Sequence, residues 1–159
     1  MKTSKKIFSK ETLLPLLEEW RKKGKIVFTN GCFDILHLGH VDYLEKARAQ
    51  GDKLIVGLNT DKSVKKIKGP NRPINDDYAR ARVMASLEFV DAVILFEEET
   101  PFDLINYLKP DILVKGDDYT IEKIIGSDIV LKNGGSVKTV PLVKGYSTSN
   151  IISKIKNTN

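Results

Sequence analysis

Short apolar segments of strand length alternate with amphipathic helical patterns along almost the whole chain, and this alternation constrains the fold more than any other feature. The predicted strands are the five segments 25–29, 53–58, 91–96, 112–115 and 136–140. Strands that alternate with helices form parallel sheets, because each right-handed crossover returns the chain to the same end of the sheet. We therefore predict an α/β fold with a doubly wound, five-stranded parallel sheet and helices on both faces.

The length of 159 residues and the apolar content of 41% suit one domain with a single core. We expect residues 1–159 to form that domain. Residues 1–24 are predicted to be a lead-in and a packing helix, which begins after Ser9 and ends before Gly24. A functional site in such a domain is expected beyond the carboxyl ends of the strands.

Both histidines of the chain, His37 and His40, fall in the stretch TNGCFDILHLGH, which follows the first predicted strand. If a helix begins there, the two imidazoles lie one turn apart on the same face. Gly31 and Gly39 let a phosphate group approach the backbone, and a helix N-terminus presents unpaired N–H groups. The stretch therefore predicts an anion site. The alternative is that the two histidines only cap and pack the helix.

Other polar segments are predicted to meet the histidine stretch at the same edge of the sheet. Gly116 and Asp117 follow the fourth strand, and Ser147 and Thr148 open the last helix. The lysine-rich segment 62–73 follows the second strand and ends in a glycine- and proline-containing loop. Loops in such positions commonly carry substrate contacts. The alternative, at least as well supported for any single lysine, is that the side chain belongs to a solvated surface.

Composition argues against several other classes of protein. The net charge of +5 is spread along the chain without an aromatic and arginine cluster, so we expect no nucleic-acid partner. No apolar run has the length of a membrane span, and no apolar signal core follows the basic N-terminal residues, so we expect a cytoplasmic protein without a membrane partner. The motifs GxxxxGKS, GxxxxGKT and GxGxxG are missing, which argues against a P-loop ATPase or an NAD-dependent enzyme.

The sequence HLGH resembles the HxGH signature of the nucleotidyltransferase superfamily. Within that superfamily, GCFDILHLGHVDYLEKA is similar to the cytidylyltransferase-like branch. Segments between about residues 25 and 156 then resemble the heptose 1-phosphate adenylyltransferases, namely FTNGCFDILHLGH, GDKLIVGLNTD, IKGPNRPIN, the helix that carries Arg82, VDAVILFEEETP, PDILVKGDDY and GYSTSNII. The resemblance implies a Rossmann-like fold, which agrees with the sheet predicted from the strand pattern.

This resemblance implies that the protein transfers AMP from ATP to D-glycero-β-D-manno-heptose 1-phosphate and forms ADP-heptose and pyrophosphate. ADP-heptose is a precursor of the lipopolysaccharide core. The resemblance further implies small-molecule substrates, Mg²⁺ that arrives with the nucleotide, no metal site built from protein groups alone, and a homodimer as one form of assembly. Some members of the family are fused to a sugar kinase, so the implied pathway partner is a separate sugar kinase.

The resemblance also implies roles for the residues that match the family's motifs. His37 and His40 would be catalytic, because they would stabilise the charge that develops on the α- and β-phosphates. The residues implied to bind the nucleotide are Thr29, Asn30, Gly31, Cys32, Phe33, Gly39, His40, Gly116, Asp117, Ser147 and Thr148. The candidates for contacts with phosphate or sugar are Asp34, Lys68, Arg72, Arg82 and Lys115.

Three of these residues keep a structural alternative. Asp34 is predicted either to orient a histidine or the metal, or to form an Asx turn. Asp117 is predicted either to accept hydrogen bonds from sugar hydroxyls or to be a turn residue. Cys32 is the only cysteine, which excludes internal disulfides and cysteine-rich zinc sites, and its alternative is a small packing residue.

Two other functions stay open. A glycerol-3-phosphate cytidylyltransferase-like enzyme would use CTP or another phosphorylated acceptor. The related cytidylyltransferases have RTEGISTT near the C-terminus, whereas this chain has LVKGYSTS with Leu142 in place of the arginine, which argues against glycerol 3-phosphate. Tyr146 departs from the heptose family, which usually has a smaller residue there. The second alternative is a nucleotide-binding module without catalytic activity, against which the intact histidines and Ser147–Thr148 argue.

Overall fold

The computed structural model describes residues 2–158 and shows one parallel sheet with helices on both faces. The strands are β1 (Ile7–Phe8), β2 (Ile26–Gly31), β3 (Lys53–Asn59), β4 (Ala92–Phe96), β5 (Ile112–Gly116) and β6 (Ser136–Val140). The helices are α1 (Lys10–Arg21), α2 (Leu38–Arg48), α3 (Asp61–Lys68), α4 (Asp77–Ser86), α5 (Phe102–Leu108), α6 (Ser127–Lys132) and α7 (Thr148–Lys156). The predicted α/β fold is confirmed.

The strands lie in the order β1-β4-β3-β2-β5-β6, and every neighbouring pair is parallel. From β2 the chain moves outward through β3 and β4, and β5 then returns to the other side of β2. This reversal makes the region beyond the carboxyl ends of β2 and β5 the topological switch point, where open α/β sheets bind their ligands.

The sheet has six strands rather than the five predicted. The additional strand is β1, in which Ile7 pairs with Val93 and Phe8 pairs with Ile94 of β4. A strand of two residues cannot produce an alternating pattern, so the sequence of residues 1–24 shows only a helix and its lead-in. The new strand extends the edge beside β4 and leaves the switch point where the strand pattern places it.

Two apolar layers cover the sheet, one on each face. Phe28 and Ile55 belong to the layer that includes side chains of α1, α5 and α6. Val27 and Leu54 belong to the layer that includes side chains of α2 and α4. Successive residues of a strand point to opposite faces, so β2 and β3 are buried on both sides. This packing gives a rigid base to the loops at the carboxyl edge.

Side chains cap the starts of several helices. The predicted cap at Ser9 is confirmed, because its side chain accepts from the Thr12 N–H at the start of α1. Asp76 caps α4 by accepting from the Ala79 N–H, and Ser147 caps α7 in the same way. The helices α1 and α2 have 12 and 11 residues, and no helix within residues 2–158 is long and apolar enough to cross a bilayer.

Candidate active site

A cleft of about 660 Å³ opens at the switch point, beyond the carboxyl ends of β2, β3 and β5. Its walls also include the start of α2, the basic loop after α3 and the start of α7. The predicted site residues that line it are Asn30, Gly31, Cys32, Phe33, Asp34, His37, Gly39, His40, Lys68, Arg72, Lys115, Gly116, Ser147 and Thr148. A cavity of this size is in the range that encloses small-molecule ligands.

The two histidines form a stacked pair at the start of α2. His37 is the N-cap residue and His40 lies in the first turn, so their rings point to the same side. The ring centroids are 3.7 Å apart and the ring planes are inclined by 25°. Nδ1 of each ring is buried and has no hydrogen-bond partner within residues 2–158. Both Nδ1 atoms are therefore enclosed by the protein, while the two rings themselves line the cleft.

Burial keeps both imidazoles neutral near physiological pH before an anion binds. It lowers the pKa of His40 to about 4, and the neighbouring His37 adds to this decrease while Asp34 opposes it. Burial also lowers the pKa of His37. A polyphosphate beside the rings would raise both pKa values, because a nearby negative charge favours the imidazolium form. The pair is therefore suited to donate N–H groups to an anion and to take up protons as the anion binds.

Gly39 allows the start of α7 to approach the histidines. A Cβ atom at Gly39 would lie 3.0 Å from the His37 ring and 3.3 Å from Cβ of Tyr146. A larger residue would therefore push α2 and the segment before α7 apart. Ser147 and Thr148 line the cleft, and the first turn of α7 presents unpaired backbone N–H groups with the positive end of the helix dipole. The histidine pair and the start of α7 thus contribute to one cleft.

Asp34 holds the basic loop against the turn after β2. Its carboxylate accepts from Arg72 Nε at 2.8 Å and from the N–H groups of Ile74 and Asn75. Burial raises the pKa of Asp34, but the hydrogen bonds from Asn75, Ile74 and Arg72 outweigh burial and keep the pKa below its usual value. The side chain is fully buried and its oxygens are used by these donors. Asp34 is therefore a long-range clamp, whereas its predicted roles in the orientation of a histidine or the metal and in an Asx turn stay predictions.

Two cations line the cleft on the side of α3. The guanidinium of Arg72 uses Nε for Asp34 and still lines the cleft. Lys68, the last residue of α3, also lines it and is exposed. The clamp therefore fixes a positive charge beside the turn that carries the histidines.

Lys115 lies between the ends of β2 and β5. Its Nζ donates to Asn30 Oδ1 at 2.5 Å and lies 5.9 Å from the ring centroid of Tyr119. Burial lowers the pKa of Lys115 to about 8, while Asp118 and Cys32 act in the opposite direction. The amine is therefore mostly protonated at neutral pH, and a bound anion would stabilise its charge further.

Thr29 and Asp117, predicted to bind the nucleotide, are not in the wall of the cleft. Thr29 is fully buried, and its hydroxyl is hydrogen-bonded to Tyr43 Oη at 2.6 Å. Asp117 lies in the turn after β5 and accepts from the Leu142 N–H at 3.3 Å, so it stabilises the segment after β6. Both residues support the site from outside it.

Arg82, predicted to contact phosphate or sugar, also lies outside the cleft wall. It is exposed on α4, and its guanidinium donates to Thr3 Oγ1 and Tyr78 Oη. In the same helix Arg80 faces the interior, and two further residues turn the side chain by about 200° around the helix axis. The helical period therefore directs Arg82 away from the sheet.

The sequence-based prediction leaves out several residues of the cleft wall, among them Tyr43 and Asp118. Tyr43 lines the cleft, and its hydroxyl links β2 to β5 through Thr29 and the Val114 carbonyl. The sequence signal for Tyr43 is its position three residues after His40, because residues three apart lie on the same face of a helix. Asp118 lines the cleft instead of Asp117, and a pair of adjacent acids does not reveal which one faces inward.

The donor set of the cleft suits a metal ion that arrives with a nucleotide. Within the described chain, no group of three or more His, Cys, Asp or Glu side chains is arranged to hold a metal. Asp34 is used by the clamp, and Glu99 and Asp118 are the other carboxylates that line the cleft. Magnesium commonly takes one or two carboxylates together with substrate phosphates, so this set fits it.

The chain is similar to two proteins named bifunctional protein HldE. The protein from Campylobacter jejuni subsp. doylei is 57% identical over 153 residues, which are 96% of this chain and 32% of that protein. The protein from Methylobacillus flagellatus is 54% identical over 151 residues, which are 94% of this chain and 31% of that protein. The chain therefore spans about a third of the length of these relatives.

The fold has a similar solved structure and a matching family. The crystal structure of a lipopolysaccharide core biosynthesis protein from Thermoplasma volcanium GSS1 has 34% sequence identity and a TM-score of 0.62, and the match covers 78% of this chain and 99% of that chain. The family model described as cytidylyltransferase-like matches residues 28–154, from β2 to α7, and this range contains every residue of the cleft wall. The chain belongs to the cytidylyltransferase-like family.

Proposed function

We propose that the protein is an adenylyltransferase that transfers AMP from ATP to D-glycero-β-D-manno-heptose 1-phosphate and releases pyrophosphate. The observation that carries this proposal is the stacked pair of His37 and His40 in one cleft with the start of α7. Membership of the cytidylyltransferase-like family supports nucleotidyl transfer. The 57% identity to a protein named HldE, and the likeness to a lipopolysaccharide core biosynthesis protein, support the heptose acceptor.

In this reaction an oxygen of the sugar phosphate attacks the α-phosphorus of ATP in line, and pyrophosphate leaves from the opposite side. No covalent intermediate with the enzyme is needed. His37 and His40 would donate N–H groups to oxygens of the α- and β-phosphates, where negative charge accumulates. Neutral imidazoles that become protonated as the charge develops would bind the transition state more tightly than the free substrates.

Other groups of the cleft would hold the reactants. Ser147 and Thr148 would bind the β- and γ-phosphates through their hydroxyls and the free N–H groups of α7. Lys68, Arg72 and Lys115 would supply positive charge for the triphosphate and for the acceptor's phosphate. Mg²⁺ carried by the nucleotide would neutralise charge on the leaving pyrophosphate.

The acceptor itself must come from a reaction that phosphorylates a heptose. We propose that a sugar kinase supplies it and that the enzyme works in the cytoplasm. The relatives named bifunctional are about three times as long as the region that matches this chain, which supports a second activity in them outside that region. A homodimer is also proposed, and the mass of the protein in solution tests it.

The test is a pyrophosphate-release assay that crosses ATP, CTP, GTP and UTP with heptose 1β-phosphate, glycerol 3-phosphate and glucose 1-phosphate in the presence of Mg²⁺. We expect release with ATP and heptose 1β-phosphate, and its loss when EDTA removes the metal. Turnover of CTP with glycerol 3-phosphate instead would favour the cytidylyltransferase alternative. Binding of ATP without turnover of any acceptor would favour a non-catalytic module.

A further inference from the structure

Arg80 is a charged side chain buried behind the cleft. It is the fourth residue of α4 and is only 1% exposed. Its Nη1 donates to the carbonyl oxygens of Cys32 at 2.7 Å and Asn59 at 2.9 Å. Its Nε donates to the Asn75 carbonyl at 3.0 Å, and its Nη2 to Asp61 Oδ1 at 2.8 Å. Burial of a guanidinium is costly unless its donors are paired, and here all three nitrogens are used.

The four acceptors lie on different segments around the cleft. Cys32 belongs to the turn after β2, and Asn59 is the last residue of β3. Asp61 opens α3, and Asn75 ends the basic loop before α4. One guanidinium therefore connects the turn after β2 to the strand, the helix and the loop beside it.

The hydrogen bond to Cys32 also determines the direction of the next N–H group. In a trans peptide, the C=O and the following N–H point in opposite directions. Because the Cys32 carbonyl points towards the buried Arg80, the Phe33 N–H points away from it, towards the cleft that Cys32 and Phe33 both line. Phe33 has a φ of +44°, which is uncommon for a bulky residue. No acceptor among residues 2–158 is bonded to its N–H.

We propose that Arg80 is a positioning residue for nucleotidyl transfer, which holds the Cys32–Phe33 peptide so that the Phe33 N–H donates to a phosphate oxygen of the nucleotide. Arg80 does not touch the substrate. A bulky residue keeps a left-handed backbone conformation only where several contacts hold it there. The hydrogen bond from Arg80 to the Cys32 carbonyl is one of these contacts for Phe33. The inference rests on the proposed function, because it requires a polyphosphate beside the histidines.

Arg80→Lys separates the charge of this residue from its geometry. A lysine keeps the positive charge but lacks the planar fork that reaches carbonyls on three segments. We expect kcat for pyrophosphate release to fall by about 10²-fold, the usual effect of losing one donor to a developing oxyanion, with a smaller change in KM for ATP.

The direct test follows the Phe33 amide by ¹H–¹⁵N NMR during titration with Mg²⁺ and α,β-methylene-ATP. In the wild-type protein we expect the amide resonances of Phe33 and Thr148 to shift together as the analogue binds. In Arg80→Lys we expect the Thr148 shift to persist and the Phe33 shift to be lost. A Phe33 resonance that stays unchanged in the saturated wild-type protein overturns the proposal without any variant.

Met84→Ala is the matched control, because Met84 is fully buried on the same helix and is not a residue of the cleft wall. Both variants are compared below their unfolding temperatures, measured by circular dichroism. If kcat falls equally in the two variants, Arg80 only stabilises the fold and the proposal is wrong. If the Phe33 resonance of the wild-type protein shifts as expected but heptose 1β-phosphate is not turned over, only the proposed acceptor is wrong. If no amide of the cleft shifts with the analogue, both the proposed function and the role of Arg80 are overturned.

Discussion

At the scale of single residues, the histidine pair combines close stacking with unpaired nitrogens. Nδ1 of His37 and Nδ1 of His40 are buried without a partner among residues 2–158, and burial disfavours the charged form of both rings. Donors that are fixed in place and largely dehydrated interact more strongly with a developing charge than the same donors in water. The stacking therefore places two such donors within one turn of α2.

We expect His37→Ala and His40→Ala each to lower kcat for pyrophosphate release by about 10²-fold or more, because each removes a donor to the transition state. Steady-state assays with ATP and heptose 1β-phosphate measure the effect. Tyr78→Phe, an exposed change outside the cleft wall, serves as the control. Near wild-type rates in both alanine variants would refute the proposed role of the pair.

Local sequence predicted the histidine pair, but it did not predict the residues that support it. His37 and His40 are three positions apart, so helical pitch alone places their rings together. Asp34 and Arg72 are 38 positions apart, and Arg80 and Cys32 are 48 positions apart. Such contacts depend on how β2, α3 and α4 meet in space, which no local pattern records.

At the scale of elements, the basic loop between α3 and α4 depends on one carboxylate. Asp34 accepts from the Ile74 and Asn75 N–H groups as well as from Arg72. The loop has few apolar side chains with which to pack, so these charge-assisted hydrogen bonds are its principal anchor. Movement of the loop would displace Arg72 from the cleft.

We expect Asp34→Ala to release this loop and raise KM for the sugar phosphate by about 10-fold, which corresponds to about 1.4 kcal/mol. Asp76→Ala is the control, because it removes the cap of α4 beside the same loop and typically costs about 1 kcal/mol of stability. Limited proteolysis across residues 69–75 should become faster in Asp34→Ala than in Asp76→Ala. Equal KM values in the two variants would argue that the clamp has no effect on substrate binding.

Helix starts were easier to predict than strands at the sheet edge. Ser9 and Ser147 each cap a helix through a bond to an N–H three residues later, so a short segment of sequence contains the whole signal. The strand Ile7–Phe8 owes its existence to pairing with Val93 and Ile94, more than 80 positions away. Residues 7–8 therefore form a strand because of their pairing with β4 as much as because of their own sequence.

At the scale of the whole molecule, the buried histidine couples folding to pH. The pKa of His40 falls from an ordinary 6.5 to about 4 on folding, so the unfolded chain binds this proton more tightly than the native protein. Above pH 6.5 the ring is neutral in both states and does not affect stability, and as the pH falls from 6.5 towards 4 protonation of the unfolded chain lowers the stability of the native protein. The candidate active site is therefore also a site of acid sensitivity.

We expect the free energy of unfolding to decrease by roughly 1 to 3 kcal/mol across this interval because of His40. Urea unfolding at a series of pH values measures it, and His40→Gln should lose that part of the pH dependence. The stability that Asp34 supplies is present above its usual pKa of 3.8 and is lost only as the pH falls below that value, so the two effects fall in different pH ranges. An identical slope in the wild-type protein and His40→Gln would contradict the assignment.

The two outer strands of the sheet have a consequence for self-association. An edge strand offers unpaired backbone groups to a strand of another molecule, and short length or an exposed lysine opposes such pairing. One edge is β1, which has two residues, and the other is β6, where Lys138 and Thr139 are exposed. Both edges are thus protected against a continuous intermolecular sheet. A homodimer of this chain is therefore expected to associate through helical or loop surfaces.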